Sequence, residues 1–210
     1  MSSGRGLNEV DLGFFMRNAR QQHSGTLTHH RILFILTAQG DEPAFNFRSS
    51  SPLRERLVEI VRSDLEPYSD EVDTKAQWPE QAIRALQAAG FMGLHGPKSL
   101  GGHEQGLVAL TTLCETLASC CPSTAICYGM HCVGTAVVAA KATPHHEENY
   151  LRPIAEGRHL TTLSLSESGT GSHFYLSQTE LRREGDSYIV NGEKQFVTNG
   201  GHADSYVIST

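Results

Sequence analysis

From Leu53 onward the apolar residues keep a helical rhythm. Leu53, Leu57, Ile60 and Val61 recur at spacings of three and four, which places them on one helix face. Ser49-Ser50-Ser51-Pro52 precedes them as a helix start, and Pro67 ends or bends that helix. Pro79 opens a second helix with Ala82, Ile83 and Leu86 on its inner face, and Gly90 closes it. Residues 91–102 hold four glycines and a proline and read as a loop. Leu107, Leu110, Cys114 and Leu117 stripe a third helix. Pro122 restarts the chain, and Ile126, Met130, Val133 and Val137 predict a long fourth helix. Pro144 opens a fifth, ending near Gly157.

The rhythm then changes to two. Thr162, Leu163, Ser164, Leu165 and Ser166 alternate polar and apolar, as a half-buried strand does. Glu184-Gly185-Asp186 reads as a turn. Tyr188-Ile189-Val190 and Lys194 to Thr198 flank Asn191-Gly192, the strongest short hairpin signal. Tyr206-Val207-Ile208 begins another strand. Helices followed by strands, not alternating with them, predict an α+β chain of segregated units. The expected organisation is an extension over 1–50, an all-α domain over 51–157, and the incomplete start of an antiparallel, β-barrel-like domain over 158–210. The extension shows no sustained period and is expected to be poorly ordered. The last strands expose backbone donors and acceptors that need a partner, so more chain or another chain is expected beside them.

Composition narrows the function classes. The formal net charge is −6 with no block of Lys or Arg, which argues against nucleic acid. The longest apolar stretches, 32–36 and 133–140, fall far short of the roughly 20 residues of a membrane span. Five cysteines lie between Cys114 and Cys132 without a CxxC pair, so zinc spacing is absent and small buried thiols in a reducing compartment are expected. The adjacent pairs His29-His30 and His145-His146 read as surface residues, and no metal ligand is assigned. The N-terminus lacks the apolar core of a secretory signal, and Glu9 and Asp11 weaken a mitochondrial presequence. A cytoplasmic location is expected, with the mitochondrial matrix as the alternative.

Two stretches carry candidate chemistry. In the first, 163–173, a strand ends in hydroxyls and enters a small-residue loop able to approach a ligand's polar edge. It is neither a Walker loop nor a dinucleotide fingerprint, and taken alone it is more often a turn. In the second, 188–204, Phe196 and Thr198 lie two residues apart on one face of a strand and could flank a planar ring. Core packing is the competing reading for that pair.

Read together after five helices, the stretches resemble the acyl-CoA dehydrogenase family. Its middle domain begins with a strand ending in Thr-Glu-Pro and then Gly-x-Gly-Ser-Asp. Here these positions read Ser166-Glu167-Ser168 and Gly169-Thr170-Gly171-Ser172-His173. A later family segment, Asn-Gly-x-Lys-x-(Trp/Phe)-Ile-Thr-Asn followed by Ala-Asp, stands nearly whole in 191–204. Ala88-Ala89-Gly90-Phe91-Met92-Gly93-Leu94, Leu100-Gly101-Gly102 and Leu151-Arg152-Pro153-Ile154-Ala155-Glu156-Gly157 also resemble family segments, so the likeness covers about 52–210. It implies FAD against Leu163, Leu165, Ser166, Phe196, Val197 and Thr198. It also implies that Ser172 contacts both cofactor and the CoA part of the substrate, and that the fourth helix lines the acyl pocket.

The implied reaction removes a proton alpha and a hydride beta to an acyl-CoA thioester, with electron-transferring flavoprotein as acceptor and a homo-oligomeric enzyme. An acyl-CoA oxidase or flavin monooxygenase on the same scaffold, or a non-catalytic module, are the alternatives. The family's catalytic Glu lies in a C-terminal helical bundle that matches nothing here, so no catalytic residue is named. The chain is expected to be a front portion, inactive alone. Glu115 and Glu167 match no family base and are read as structural. Ser168 in place of Pro and His173 in place of Asp put the loop's rigidity and polar anchoring in doubt.

Overall fold

The structure, a computed structural model, describes residues 52–210. The expected extension, the helix start at Ser49 to Ser51, and His29-His30 lie outside the described residues. The described chain divides into two compact units, a helical one of 52–163 with 198–206 and a smaller one of 164–197 with 207–210.

In the helical unit, α1 (Pro52–Ile60) runs into a π-helical turn (Val61–Leu65), and both stop short of Pro67. Leu57 and Ile60 are buried, as their spacing predicts. A short α2 (Ser69–Thr74) follows, which the apolar pattern does not announce because only its Val72 is buried. Helix α3 (Glu80–Ala88) buries Ala82, Ile83 and Leu86 and ends at Gly90, whose φ of 81° suits a residue without a Cβ. The glycine-rich stretch forms two 3₁₀ turns, Phe91–Gly93 and Lys98–Leu100. Its interior backbone is satisfied locally, with the Gly93 carbonyl taking the N–H groups of Gly96 and His103.

Helices α4 (Leu107–Ala118) and α5 (Pro122–Ala140) pack on each other at the centre of this unit. By length and composition α5 is a helix long and apolar enough to cross a membrane, although its apolar stretch 133–140 is short. Half of that stretch is buried inside the protein, as in the central helix of a bundle. The fifth predicted helix is α6 (Pro144–His146), a π-helical turn (Glu147–Leu151) and α7 (Arg152–Ala155). His146 is not a surface residue: it is buried, and its Nδ1 accepts the Thr143 N–H at 3.1 Å in a capping box. His145 is exposed, as expected.

All five cysteines are free thiols. Cys121, Cys127 and Cys132 are buried, and burial pushes the Cys127 thiol up to about 11 and Cys132 higher still. Such thiols behave as small apolar side chains.

Strand β1 (Thr161–Ser164) pairs with β4 (Ser205–Ile208), and β2 (Glu180–Glu184) pairs antiparallel with β3 (Ser187–Asn191). The register of the second pair runs from Glu180 opposite Asn191 to Glu184 opposite Ser187. Its two-residue turn has Gly185 first, with φ 62°, as a tight hairpin turn requires. These are short two-stranded pieces, and no closed barrel forms among the described residues.

Asn191-Gly192 is not a hairpin turn. Strand β3 ends at Asn191, and Lys194 to Thr198 is not a strand. A Cβ on Gly192 would lie 2.7 Å from Thr179 Cα, so this glycine permits close passage of two segments. Positive φ at Phe196 (53°) and Asn199 (63°) breaks the extended run. The expected alternation of Phe196 and Thr198 along a strand face therefore does not exist.

Helix α5 governs where β1 starts. A Cβ on Gly134 would stand 3.1 Å from Thr161 Cγ2, so the helix presses on the strand. Three residues earlier, His131 is fully buried, its Nδ1 accepting the Thr161 N–H at 3.1 Å and its Nε2 facing the Met92 carbonyl at 3.0 Å. These partners require the neutral ring, with the proton on Nε2.

Burial lowers the His131 pKa from 6.5 to about 4. Above pH 6.5 the ring is neutral in both states and costs nothing. As pH falls below 6.5 the unfolded chain binds a proton that the folded chain refuses, so stability declines until about pH 4. The total loss is on the order of 3 kcal/mol. Urea midpoints between pH 7 and pH 4 should fall more steeply for the parent than for His131→Gln, and equal slopes would contradict this account. Gly157 gives a second check. Its φ is 71° and an added Cβ would lie 3.0 Å from the Gln87 carbonyl carbon. Gly157→Ala should lose about 2–4 kcal/mol in chemical unfolding followed by the helical signal, and a neutral result would rule out the close approach.

Candidate functional site

The smaller unit has an unusual interior. Among its described residues, the buried ones are Ser164, Glu167, Thr170 and Thr179, all polar. Tyr175, Leu176, Ile189 and Phe196 are instead exposed.

Glu167 is the hub. Its Oε1 accepts from Lys194 Nζ at 2.6 Å, Thr179 Oγ1 at 2.6 Å, Ser177 Oγ at 2.7 Å and the Thr179 N–H at 3.0 Å. Its Oε2 accepts the Gln178 N–H at 2.5 Å. The Lys194 ammonium also donates to Ser209 Oγ at 2.8 Å, Ser177 Oγ at 2.9 Å and the Leu165 carbonyl at 3.3 Å. Side-chain exposure is 8% for Lys194 and 3% for Glu167, so this is a buried ion pair. The Lys194 ammonium, then the Thr179 hydroxyl, and further Ser177 and the Gln178 N–H hold the Glu167 carboxyl well below the usual carboxylate range against its burial.

The Lys194 ammonium goes inward to the carboxylate, and the residues after it leave strand geometry, with φ 53° at Phe196. It also supplies the anchoring that Ser168 and His173 put in doubt. The Glu167 side chain seizes the far end of the loop at 177–179, and its carbonyl takes the Thr170 N–H at 3.3 Å. Sequence reading treated Glu167 as structural and passed over Lys194. The signal was one acid and one base in the two motifs, 27 residues apart.

The predicted cofactor residues are distributed between the units. In the smaller one, Leu165 and Ser166 are half-buried just beyond β1, and the Ser166 carbonyl accepts the Gln195 N–H at 2.8 Å. Gln195 leads directly to Phe196, which is 93% exposed, and to half-buried Val197. Ser172 stands exposed in the loop after Gly171. In the helical unit, Leu163 is half-buried in β1, and Thr162 Oγ1 donates to the Thr198 carbonyl at 2.7 Å. That bond brings β1 beside Thr198. Among the described residues, the Ser166, Ser172 and Thr198 hydroxyls make no hydrogen bond within the chain. Within the smaller unit, the free Ser166 and Ser172 hydroxyls and the uncovered Phe196 side chain are groups of the kind that suit the polar edge and flat face of a flavin.

Asn199 was also missed. It is 4% exposed and closes the turn after Thr198, where its carbonyl accepts the N–H groups of His202 and Ala203.

The helical unit followed by short strand pieces is an acyl-CoA dehydrogenase-like fold. The acyl-CoA dehydrogenase N-terminal domain family matches residues 49–158, and the middle domain family matches 162–210. The chain belongs to the acyl-CoA dehydrogenase family. It is 32% identical over 151 residues to cyclohex-1-ene-1-carbonyl-CoA dehydrogenase of Geobacter metallireducens, covering 71% of this chain and 40% of that one. To the short-chain-specific acyl-CoA dehydrogenase of Clostridium acetobutylicum it is 28% identical over 162 residues, covering 77% and 43%. Among solved structures, a chain from the work on the electron-transferring flavoprotein of Acidaminococcus fermentans superposes with a TM-score of 0.70 at 27% identity, covering 80% of this chain and 44% of that one. The chain thus spans less than half the length of these relatives.

The ion pair yields a test whose sign is fixed. A depressed carboxyl pKa stabilises the fold above the ordinary value of 4.5, and that contribution is lost as pH falls through the lowered one. Lys194→Met removes the first cause of the shift, so acid should open this unit at a higher pH than in the parent. Hydrogen exchange of the Gln178 and Thr179 amides across pH 6 to 3 reads it, and superimposed profiles would show that the pair is not what holds the loop.

Proposed function

We propose that the protein is an FAD-dependent oxidoreductase acting on acyl-CoA thioesters, introducing an α,β double bond. What carries the reading is family membership together with the uncovered Phe196 ring and the unengaged hydroxyls described above. FAD, when bound, supplies a two-electron acceptor that no side chain offers.

The chain's own residues do the rest. Leu163, Leu165 and Val197 give apolar contact to the ring system, and Phe196 packs on it. Ser166 and Thr198 donate hydrogen bonds to its polar edge. Ser172 serves both the cofactor and the CoA portion of the substrate. Neither carboxylate singled out in the sequence suits the proton-accepting role. Glu115 is exposed on α4. Glu167 has both oxygens occupied and is a weakened base, whereas a general base should titrate near working pH. No residue of the described chain is assigned that role.

Electron-transferring flavoprotein is the acceptor we propose, which the name of the A. fermentans study supports. A homo-oligomeric assembly in the cytoplasm completes the reading.

Anaerobic addition of acyl-CoA to the FAD-loaded full-length protein should bleach the flavin band. A flavin that stays oxidised, yet reacts rapidly with oxygen once reduced chemically, would replace this reading with an oxidase or monooxygenase one. Thr198→Ala and Phe196→Ala should each weaken FAD retention about tenfold, the scale of one hydrogen bond or ring contact. Flavin absorbance per protein after gel filtration measures it, and unchanged retention would displace the ring from this site.

A further inference from the structure

The turn after Thr198 is tied to a side chain 121 residues away in sequence. Trp78, the sole tryptophan of the chain, lies just before Pro79 and α3. Its indole N–H donates to Asn199 Oδ1 at 3.0 Å. Asn199 Nδ2 in turn donates to the Cys127 carbonyl of α5 at 2.9 Å. The indole also stacks on His202, with ring centroids 4.2 Å apart and planes 5° apart. Both ends of the turn are therefore gripped by one side chain, and the Asn199 amide has an oriented partner for each of its two polar atoms.

This matters for the residue immediately before the turn. The Thr198 carbonyl is fixed by Thr162 Oγ1. Asn199 is fixed with φ 63°, a conformation that asparagine tolerates better than most residues. With its carbonyl and its successor both held, the Thr198 backbone has little freedom left, and its hydroxyl has no partner among the described residues. A hydroxyl carried on a held backbone loses less entropy on meeting a ligand than one on a mobile turn. Packing alone would not need the Trp78 N–H, since a phenyl ring could stack on His202 as well.

We propose that Trp78 is a positioning residue for the Thr198 hydroxyl, acting through Asn199, and that it sets how firmly the chain grips its flavin. The flavin half of this statement rests on the function proposed above. The holding of the turn does not.

The test separates the two halves with Trp78→Phe, which keeps a ring but removes the N–H, and Asn199→Gly, which keeps the backbone conformation but removes the bridge. In the full-length protein without added flavin, amides 199–203 should exchange about tenfold faster in both variants, while α4 and α5 interior amides stay within about twofold of the parent. FAD titration should then give a Kd raised about tenfold in both. Unchanged exchange in the turn overturns the proposal. Faster exchange with unchanged FAD affinity also overturns it, reducing Trp78 to packing. A parent that binds no FAD at all overturns the flavin reading, and the exchange rates alone then decide whether Trp78 holds the turn. If Trp78→Phe fails to fold, Asn199→Gly carries both measurements.

Discussion

A carboxylate and an ammonium removed from water hold the smaller unit together. Burying two charges costs several kcal/mol each unless every lone pair and proton finds a partner. Glu167 and Lys194 meet that condition with hydroxyls, backbone N–H groups and a carbonyl. The pair and its partners come from four pieces of chain: the exit of β1, the approach to β2, the segment after β3 and the residues after β4. The pair fastens the far end of the 167–179 loop to the start of 194–198.

The helical unit is organised by the opposite principle. Its interior is Leu, Ile, Met and aromatic side chains gathered around α4 and α5. Two of the polar side chains buried in it, His131 and Asn199, have two partners each. Both connect helices to backbone that has no helix of its own, β1 in one case and the turn after Thr198 in the other.

Much of this was legible in the sequence, and the reasons differ by element. Proline and glycine punctuate the helices so clearly that the starts at Pro79, Pro122 and Pro144 and the stops at Gly90 and Gly157 could be read directly. Local periodicity could not reveal α2, which buries one residue. Asn191-Gly192 misled because its glycine answers a steric contact with Thr179, a tertiary fact that imitates a turn signal. His146 was taken for surface because adjacent histidines do not share a face, yet one ring of such a pair can turn inward to cap a helix. The hub pair, Trp78 and Asn199 were missed for one reason. Each works through a partner many residues away, and no spacing rule reports such a meeting. Where local rules were silent, the candidate cofactor residues came from the resemblance to a family.

The polar interior has a thermal consequence. Opening a unit that buries hydroxyls and an ion pair exposes little apolar surface, so its heat-capacity increment is small and its stability curve is shallow. The helical unit exposes a leucine-rich core and has the strongly curved dependence of ordinary globular proteins. Warming also lowers the hydration penalty on Glu167 and Lys194, while hydrophobic stabilisation per unit area levels off. One polypeptide thus carries two thermometers of different shape, and cold acts chiefly on the helical one.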